Sequence, residues 1–278
     1  TLAYVAGNSS VTADNLDVQA LDTNTAEPQT SVAAAGLITI NAATTDIQLR
    51  RVTEARVEEN ANLIMPSGSL NLQAISTSNS IGSLSTDGAG LATINSLNVD
   101  ASVASTTRAK IAERAYVQVS GTIGVDAVSN NIAQARTSSL GAGGLTFGSS
   151  SPTATVDSVT EALALGELVA NTVRVAATGN DDRTSAGASS YGFGGIAIDS
   201  STVTARTSPV VRAVGGGSIL AGSNVTFEAV SNTDADAASD STSVGIGVTV
   251  SDLNATVTVQ PVVTVEIKPG TFIDAQGT

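Results

Sequence analysis

The residues in this chain whose type and spacing could do chemistry are acidic. Glu54, Glu58 and Glu59 form one group and Asp181 and Asp182 another. A pair of carboxylates is what a glycoside hydrolase needs, one as general acid and one as nucleophile or base. Asp181 and Asp182, with Asn180 before them, and the trio Asp234, Asp236 and Asp240 are also sets of hard oxygen donors that could coordinate calcium. The context is thin for either use. No aromatic recurs beside the carboxylates to stack a sugar ring, and neither a D-x-[DN]-x-[DN]-G loop nor a G-G-x-G-x-D nonapeptide surrounds the aspartates. Solvated charges on outward faces account for the same residues. Arg56, Arg108 and Arg206 stand in similar contexts, after Ala, Thr and Ala, and would form either a stacked basic row or a plain solubilising face.

Absent residue types narrow the chemistry further. With no His and no Cys, a Ser/His/Asp triad, a thiolate nucleophile and the common zinc ligand sets have no members here. The glycine runs Gly141-Ala142-Gly143-Gly144 and Gly192-Phe193-Gly194-Gly195 look superficially like phosphate loops. They lack the following Lys-Ser/Thr and the helix such a loop opens, so they read as backbone corners. Asn8-Ser9-Ser10, Asn224-Val225-Thr226 and Asn254-Ala255-Thr256 match a glycosylation acceptor, as a chain rich in Asn, Ser and Thr will.

The elements that must position these residues repeat along the chain. Leu16 to Leu21, Leu70 to Ile75, Ile123 to Val128, Val173 to Thr178 and Val225 to Val230 share one pattern: apolar, polar or small, apolar, variable, alanine. This is the period-two alternation of a half-buried strand. The marker alanines Ala20, Ala74, Ala127, Ala177 and Ala229 recur at intervals of 54, 53, 50 and 52. A second marker keeps the same pace: Gly36-Leu37-Ile38-Thr39-Ile40-Asn41 is nearly copied from Gly90, then more loosely from Gly144, Gly195 and Gly247. A fixed period of about 52 residues is the signature of a stacked array. The segments with helical potential, 50–61 and 159–170, align with β-branched, proline-containing stretches in other repeats and are read as strand.

The fold expected is all-β, a parallel β-solenoid of about five ~52-residue repeats starting near 16, 70, 123, 173 and 225, in one continuous array over 1–278. A string of β-sandwich modules is the alternative, but ~50 residues is about half the usual length of such a module. Residues 1–15 read as the tail of a preceding repeat, and the chain stops where a sixth strand motif is due, so both ends fall within the pattern. Whether each repeat makes one wide turn or two narrow ones is open.

Composition agrees with a narrow aliphatic interior. Aromatics are 3% of the 278 residues and Trp is absent, while hydrophobic residues reach 41%, too apolar for a disordered tail. Charged residues are 13%, and 12 basic against 25 acidic residues leave a net charge of −13. That balance excludes nucleic acid and anionic membrane surfaces as charge-driven partners. No apolar run approaches the ~18 residues of a membrane-spanning helix, and the first residues carry no signal-peptide pattern.

At Leu70 to Ile75, Val225 to Val230 and Gly90 to Asn95 the chain resembles the repeat arrays of large bacterial β-solenoid exoproteins, the filamentous-haemagglutinin-like and leukotoxin-like adhesins. That resemblance implies an extracellular or cell-surface structural rod, used in adhesion, a sheath or a biofilm fibre, with no catalytic residue to carry over. The partners it implies are further copies of the array, end to end or along the sides, and cell-surface glycans. Two other readings stay open: a glycan-processing β-helix enzyme using Asp and Arg, and a calcium-dependent surface-layer or type-I-secreted protein. No cofactor is expected apart from that calcium.

Overall fold

The computed structural model describes residues 1–276, except the side chain of Asp182. Among them there is no helix, and so none that could cross a membrane. The chain is a parallel β-solenoid in which one repeat makes one wide coil. Leu16, Leu70, Ile123, Val173 and Val225 lie in a single hydrogen-bonded column, each paired in parallel with the next. The marker alanines stand in another, Ala20, Ala74, Ala127, Ala177 and Ala229. We number the coils one to five from these columns, as 16–69, 70–122, 123–172, 173–224 and 225–276.

Each coil has two long faces and one short one. In the second coil the strand Leu70–Ile111 runs out along one long face, bends near Gly90 and returns along the other. A corner at 112–115 then leads to the short face Tyr116–Val119. The long faces stack into an 11-stranded sheet and the short faces into a 6-stranded one. With its 42 residues split between two faces at about 3.3 Å per residue, Leu70–Ile111 makes each long face roughly 65 Å wide. Five rungs at about 4.8 Å rise only about 24 Å. The piece is therefore a flat slab, and it becomes a rod only as coils are added.

The segments with helical potential are strands, within Ile38–Val57 and as Val159–Ala164 and Glu167–Ala170. Pairing like with like across the stack overrides local propensity there. Pro209 and Pro261 fall in the gaps before Val210 and Val262, where no ladder donor is lost.

Inward side chains from the two long faces meet in the middle and sort into bands. Beside the short face is an apolar block, with Leu70, Leu72 and Ala74 against Ala109, Ile111 and Val117. Next comes a lane of hydroxyls and amides, in which Ser129 Oγ lies 2.7 Å from Thr160 Oγ1 and Ser105 Oγ donates to Asn131 Oδ1 at 2.9 Å. A second apolar block follows, with Leu84, Leu97, Val99 and Val103. A second polar lane, containing Thr86, Thr93 and Asn95, abuts the bend. The slab is only two sheets thick, so small and β-branched side chains fill it and each buried Leu or Val contributes about 1.5–3 kcal/mol.

The bend explains the second marker. Gly36, Gly90, Gly143, Gly194 and Gly245 form a column in which each backbone crosses close over the one below. A Cβ on Gly143 would drive into the Gly90 carbonyl, and one on Gly194 into that of Gly143. In coils three to five the column glycine lies one or two residues before the expected marker, and the ladder shifts register at the bend between coils four and five, from Gly194 to Ile196. None of the five has a positive φ; close approach, not dihedral freedom, demands them.

This predicts a sharp contrast between two glycine substitutions. Gly143→Ala should cost about 2 kcal/mol or more, since the backbone below cannot yield. Gly187→Ala, where a Cβ meets nothing within 4 Å, should be neutral or slightly stabilising. Urea midpoints of the two variants, measured side by side, test this.

Candidate functional site

Two of the candidate carboxylates that line an open cleft are Glu54 and Glu58. They flank Arg56 at one rim of a surface cleft of about 360 Å³ that Gly7, Glu59 and Lys110 also line. Arg56 NH1 reaches Glu54 Oε2 at 3.3 Å and NH2 reaches Glu58 Oε1 at 2.8 Å. The guanidinium also sits 5.7 Å from the Tyr4 ring centre, a cation–π distance. The Gly7 N–H donates to Glu58 Oε2 at 3.0 Å. That bond and Arg56 hold the Glu58 carboxyl below the ordinary carboxylate range, whereas a general acid must be raised above it. Glu59 turns away to pair with Arg114. The three glutamates thus form ion pairs around arginines instead of a facing acid–base pair.

The arginines follow the same logic. Arg56 shares a column with Lys110, Arg108 one with Glu54 and Glu161, and Arg206 one with Thr155 and Thr258. The three expected in a row do not stack. Instead Glu54, Arg108, Glu161 and Arg212 alternate in sign up one outward column. Arg108 donates to Glu161 Oε2 from Nε and NH2, at 2.9 and 2.6 Å; Arg212 bridges Glu161 at 3.3 Å and Glu266 at 3.1 Å. Rungs about 4.8 Å apart make like charges repel, and alternation removes that repulsion. Arg174 serves similarly between Asp126 and Glu228, across the Ala176 rung. Burial nevertheless pushes the Asp126 carboxyl up, with Arg174 opposing.

The calcium candidates are spread over different surfaces. Asp234, Asp236 and Asp240 point outward on the fifth coil, while Ala235 and Ala237 between them pack on the second apolar block. Asp181 points inward and is fully buried, at a bulge where the fourth coil shifts register. Its carboxylate accepts from Asn131 Nδ2 and Ser158 Oγ, both at 2.6 Å. The side chain of Asp182 lies outside the described residues. Among the described residues no group of three or more acidic side chains gathers in a way that could hold a metal ion.

Two features were not singled out in the sequence. Asp199 is 3% exposed in the second polar lane and accepts from Ser190 Oγ and Ser243 Oγ, both at 2.7 Å. Its column reads Asn41, Asn95, Gly148, Asp199, Ser251, and Asn41 Nδ2 donates to Asn95 Oδ1 at 3.0 Å. The recurrence of Asn or Asp at the end of the glycine marker was the available signal. The other feature is Asp46 directly under Asp100 on an outer face. Burial, and then the Asp46 charge, raise the Asp100 carboxyl.

No family model, no curated protein and no solved structure matches this chain. What its geometry can do chemically must therefore be judged from its own groups. Inside the coil Asp181 and Asp199 are held by hydroxyl and amide donors; outside, the glutamates around Arg56, Arg108 and Arg212 are neutralised by arginine.

Two predictions follow from the aspartates. Asp199→Ala strands the Ser190 and Ser243 hydroxyls and should cost about 1–3 kcal/mol, whereas Asp199→Asn, matching Asn41 and Asn95, should cost clearly less. Denaturant titration of the two variants distinguishes them. For Asp100, the native state keeps its proton at a pH where the unfolded chain has lost it, so this site's contribution falls as pH rises above the ordinary value of 3.8. Asp100→Asn should raise melting at pH 7 by on the order of a degree or two, and the gain should vanish near pH 3. Thermal unfolding at both pH values checks it.

Proposed function

We propose that the chain is a segment of an extracellular, bacterial cell-surface structural rod that does no catalysis and assembles with further copies of itself. It would be the stalk of a large adhesin or the body of a filament, of the kind its markers resemble. One observation carries the reading: charged groups of the outward face are engaged with one another from rung to rung, as in the Arg108–Glu161–Arg212–Glu266 ladder. Groups used this way extend a stack, and they do so rung by rung for as many coils as the chain supplies.

Adhesin and biofilm roles follow from that architecture only through what such a stack is suited to present. Its outer rows include Ser, Thr and Asn, among them the ladder Asn130, Asn180 and Asn232, linked at 2.9 and 2.8 Å. Such rows offer neutral hydrogen-bonding groups to glycans. The acidic balance keeps anionic polymers away.

Immunogold electron microscopy on intact cells of the source organism, with antibody raised to this chain, should label surface fibres in rows. Label confined to the cell interior would overturn the reading. Purified chain incubated with acidic polysaccharides should release no new reducing or unsaturated ends, and release would favour the glycan-processing alternative.

A further inference from the structure

Along the glycine bend the solenoid is inside out. Thr39, Asn41, Thr93, Asn95, Thr146 and Asp199 point inward and are buried, while larger apolar residues beside them point to solvent. Leu91 is 66% exposed, Tyr191 and Phe193 44% each, and Ile94, Leu140, Phe147 and Ile196 between 36% and 41%. All seven lie on coils two to four, which have a coil stacked on each side, so this exposure does not come from an open end. Three of the seven Phe and Tyr residues of the chain are on this ridge, and a contiguous apolar patch rimmed by polar surface marks an interaction site. Asp87 is its one charged outward residue, in a chain of net charge −13.

The ridge is graded along the stack. One outward column reads Ala33, Asp87, Leu140, Tyr191, Thr242, and the next Ala35, Ala89, Ala142, Phe193, Val244. Across the first three coils these columns leave a hollow, a groove of about 340 Å³ lined by Ala33 to Ala35, Ala89 and Ala142 together with Asp87, Gly88 and Leu140. The fourth coil carries knobs, Tyr191 and Phe193. Hollow at one end and knobs at the other make the ridge self-complementary under a two-fold axis across it, the isologous arrangement of a C2 dimer.

We propose that the ridge pairs two copies of this chain side by side and antiparallel, Phe193 of each filling the alanine hollow of the other. The same rotation brings the Tyr191 hydroxyl toward Asp87 of the second copy, giving that lone carboxylate a donor. Equal rung spacing lets every coil engage its counterpart. Five rungs and a ridge about 20 Å across bury on the order of 1,000 Å² in total, the lower bound for a specific interface. Each further coil enlarges it. Elsewhere the two acidic surfaces repel, which confines contact to this strip. The pairing deepens the rod reading by naming its lateral partner, and its use in a fibre rests on that reading.

The full chain, 27.5 kDa, tests this by sedimentation at micromolar concentrations, where twice that mass is expected. Phe193→Asp should return the monomer with melting unchanged, its side chain being outward. A dimer that survives this substitution, or wild-type chain that stays monomeric, overturns the proposal. Because the chain has no cysteine, orientation can be read by crosslinking: Ala35→Cys mixed with Phe193→Cys should form the mixed disulfide under mild oxidation. Phe193→Cys alone crosslinking to itself would show parallel pairing and overturn the antiparallel arrangement. Monomeric chain binding phosphatidylcholine vesicles through Phe193 would also overturn it, as a lipid-facing ridge. Monomers with surface-fibre immunogold label would sink the pairing alone; interior label would sink the rod reading whether or not the chain dimerises.

Discussion

Backbone hydrogen bonds in the long faces point along the stack, so the strand N–H and C=O groups of an inner coil pair with the coils one period away. This couples residues about 52 apart and almost nothing between, and it makes register the quantity that sequence must protect. A slip of one residue would turn each apolar side chain from the interior to the surface. The glycine bend guards against that slip, since only glycine tolerates the carbonyl of the rung below at Gly90, Gly143 and Gly194. The bulge at Asp181 shows the tolerance of the rest: the register steps by one residue between Asn180 and Arg183, and the ladder continues at the new offset as far as Thr207 and Val156.

Stacking at about 4.8 Å also dictates side-chain chemistry, because each residue meets its equivalents directly above and below. Identical neutral residues gain from this, as in the asparagine pairs Asn41–Asn95 inside and Asn130–Asn180 outside. Identical charges lose, which is why the column through Glu54, Arg108, Glu161 and Arg212 alternates. The rule is broken at Arg56 and Lys110, where Glu54 and Glu58 flank the guanidinium, and at Asp46 and Asp100, where the Asp100 carboxyl is raised. Interior carboxylates survive only where a neighbouring rung supplies donors: Asn131 for Asp181, and Ser243 for Asp199.

Much of the fold was legible because the period is written twice, once in alanines and once in glycines. The alternations Ala133-Gln134-Ala135-Arg136 and Asp234-Ala235-Asp236-Ala237 told correctly which residues face in. Whether a repeat makes one turn or two was not legible, since strand pattern carries no information on which strands oppose across the interior. The arginine row failed for a related reason: Arg56, Arg108 and Arg206 share flanking residues, but their offsets within the repeat differ, and a column depends on offset alone. Proximity in sequence likewise made a pair of Asp181 and its neighbours, while Asp199, held by a coil about 52 residues on, drew no notice.

Period two also leaves a choice that the sequence near the bend answers against the usual rule. In Leu91-Ala92-Thr93-Ile94-Asn95, Thr93 and Asn95 face inward while Leu91 and Ile94, on opposite phases of the alternation, both face out, although transfer free energy alone would bury them. The tight bend decides otherwise. Backbones that cross at glycine contact bring the two sheets too close there for opposed leucines, as the short approach of a Gly88 Cβ to Thr93 indicates, at 2.5 Å. Small polar groups fit, several of them bonded to the next rung, as Asn41 is to Asn95 and Thr93 to the Ala142 carbonyl, so the larger side chains are expelled to the outside. The apolar ridge is therefore a geometric consequence of closing a two-layer slab at glycine, and its breadth grows with every coil the stack contains.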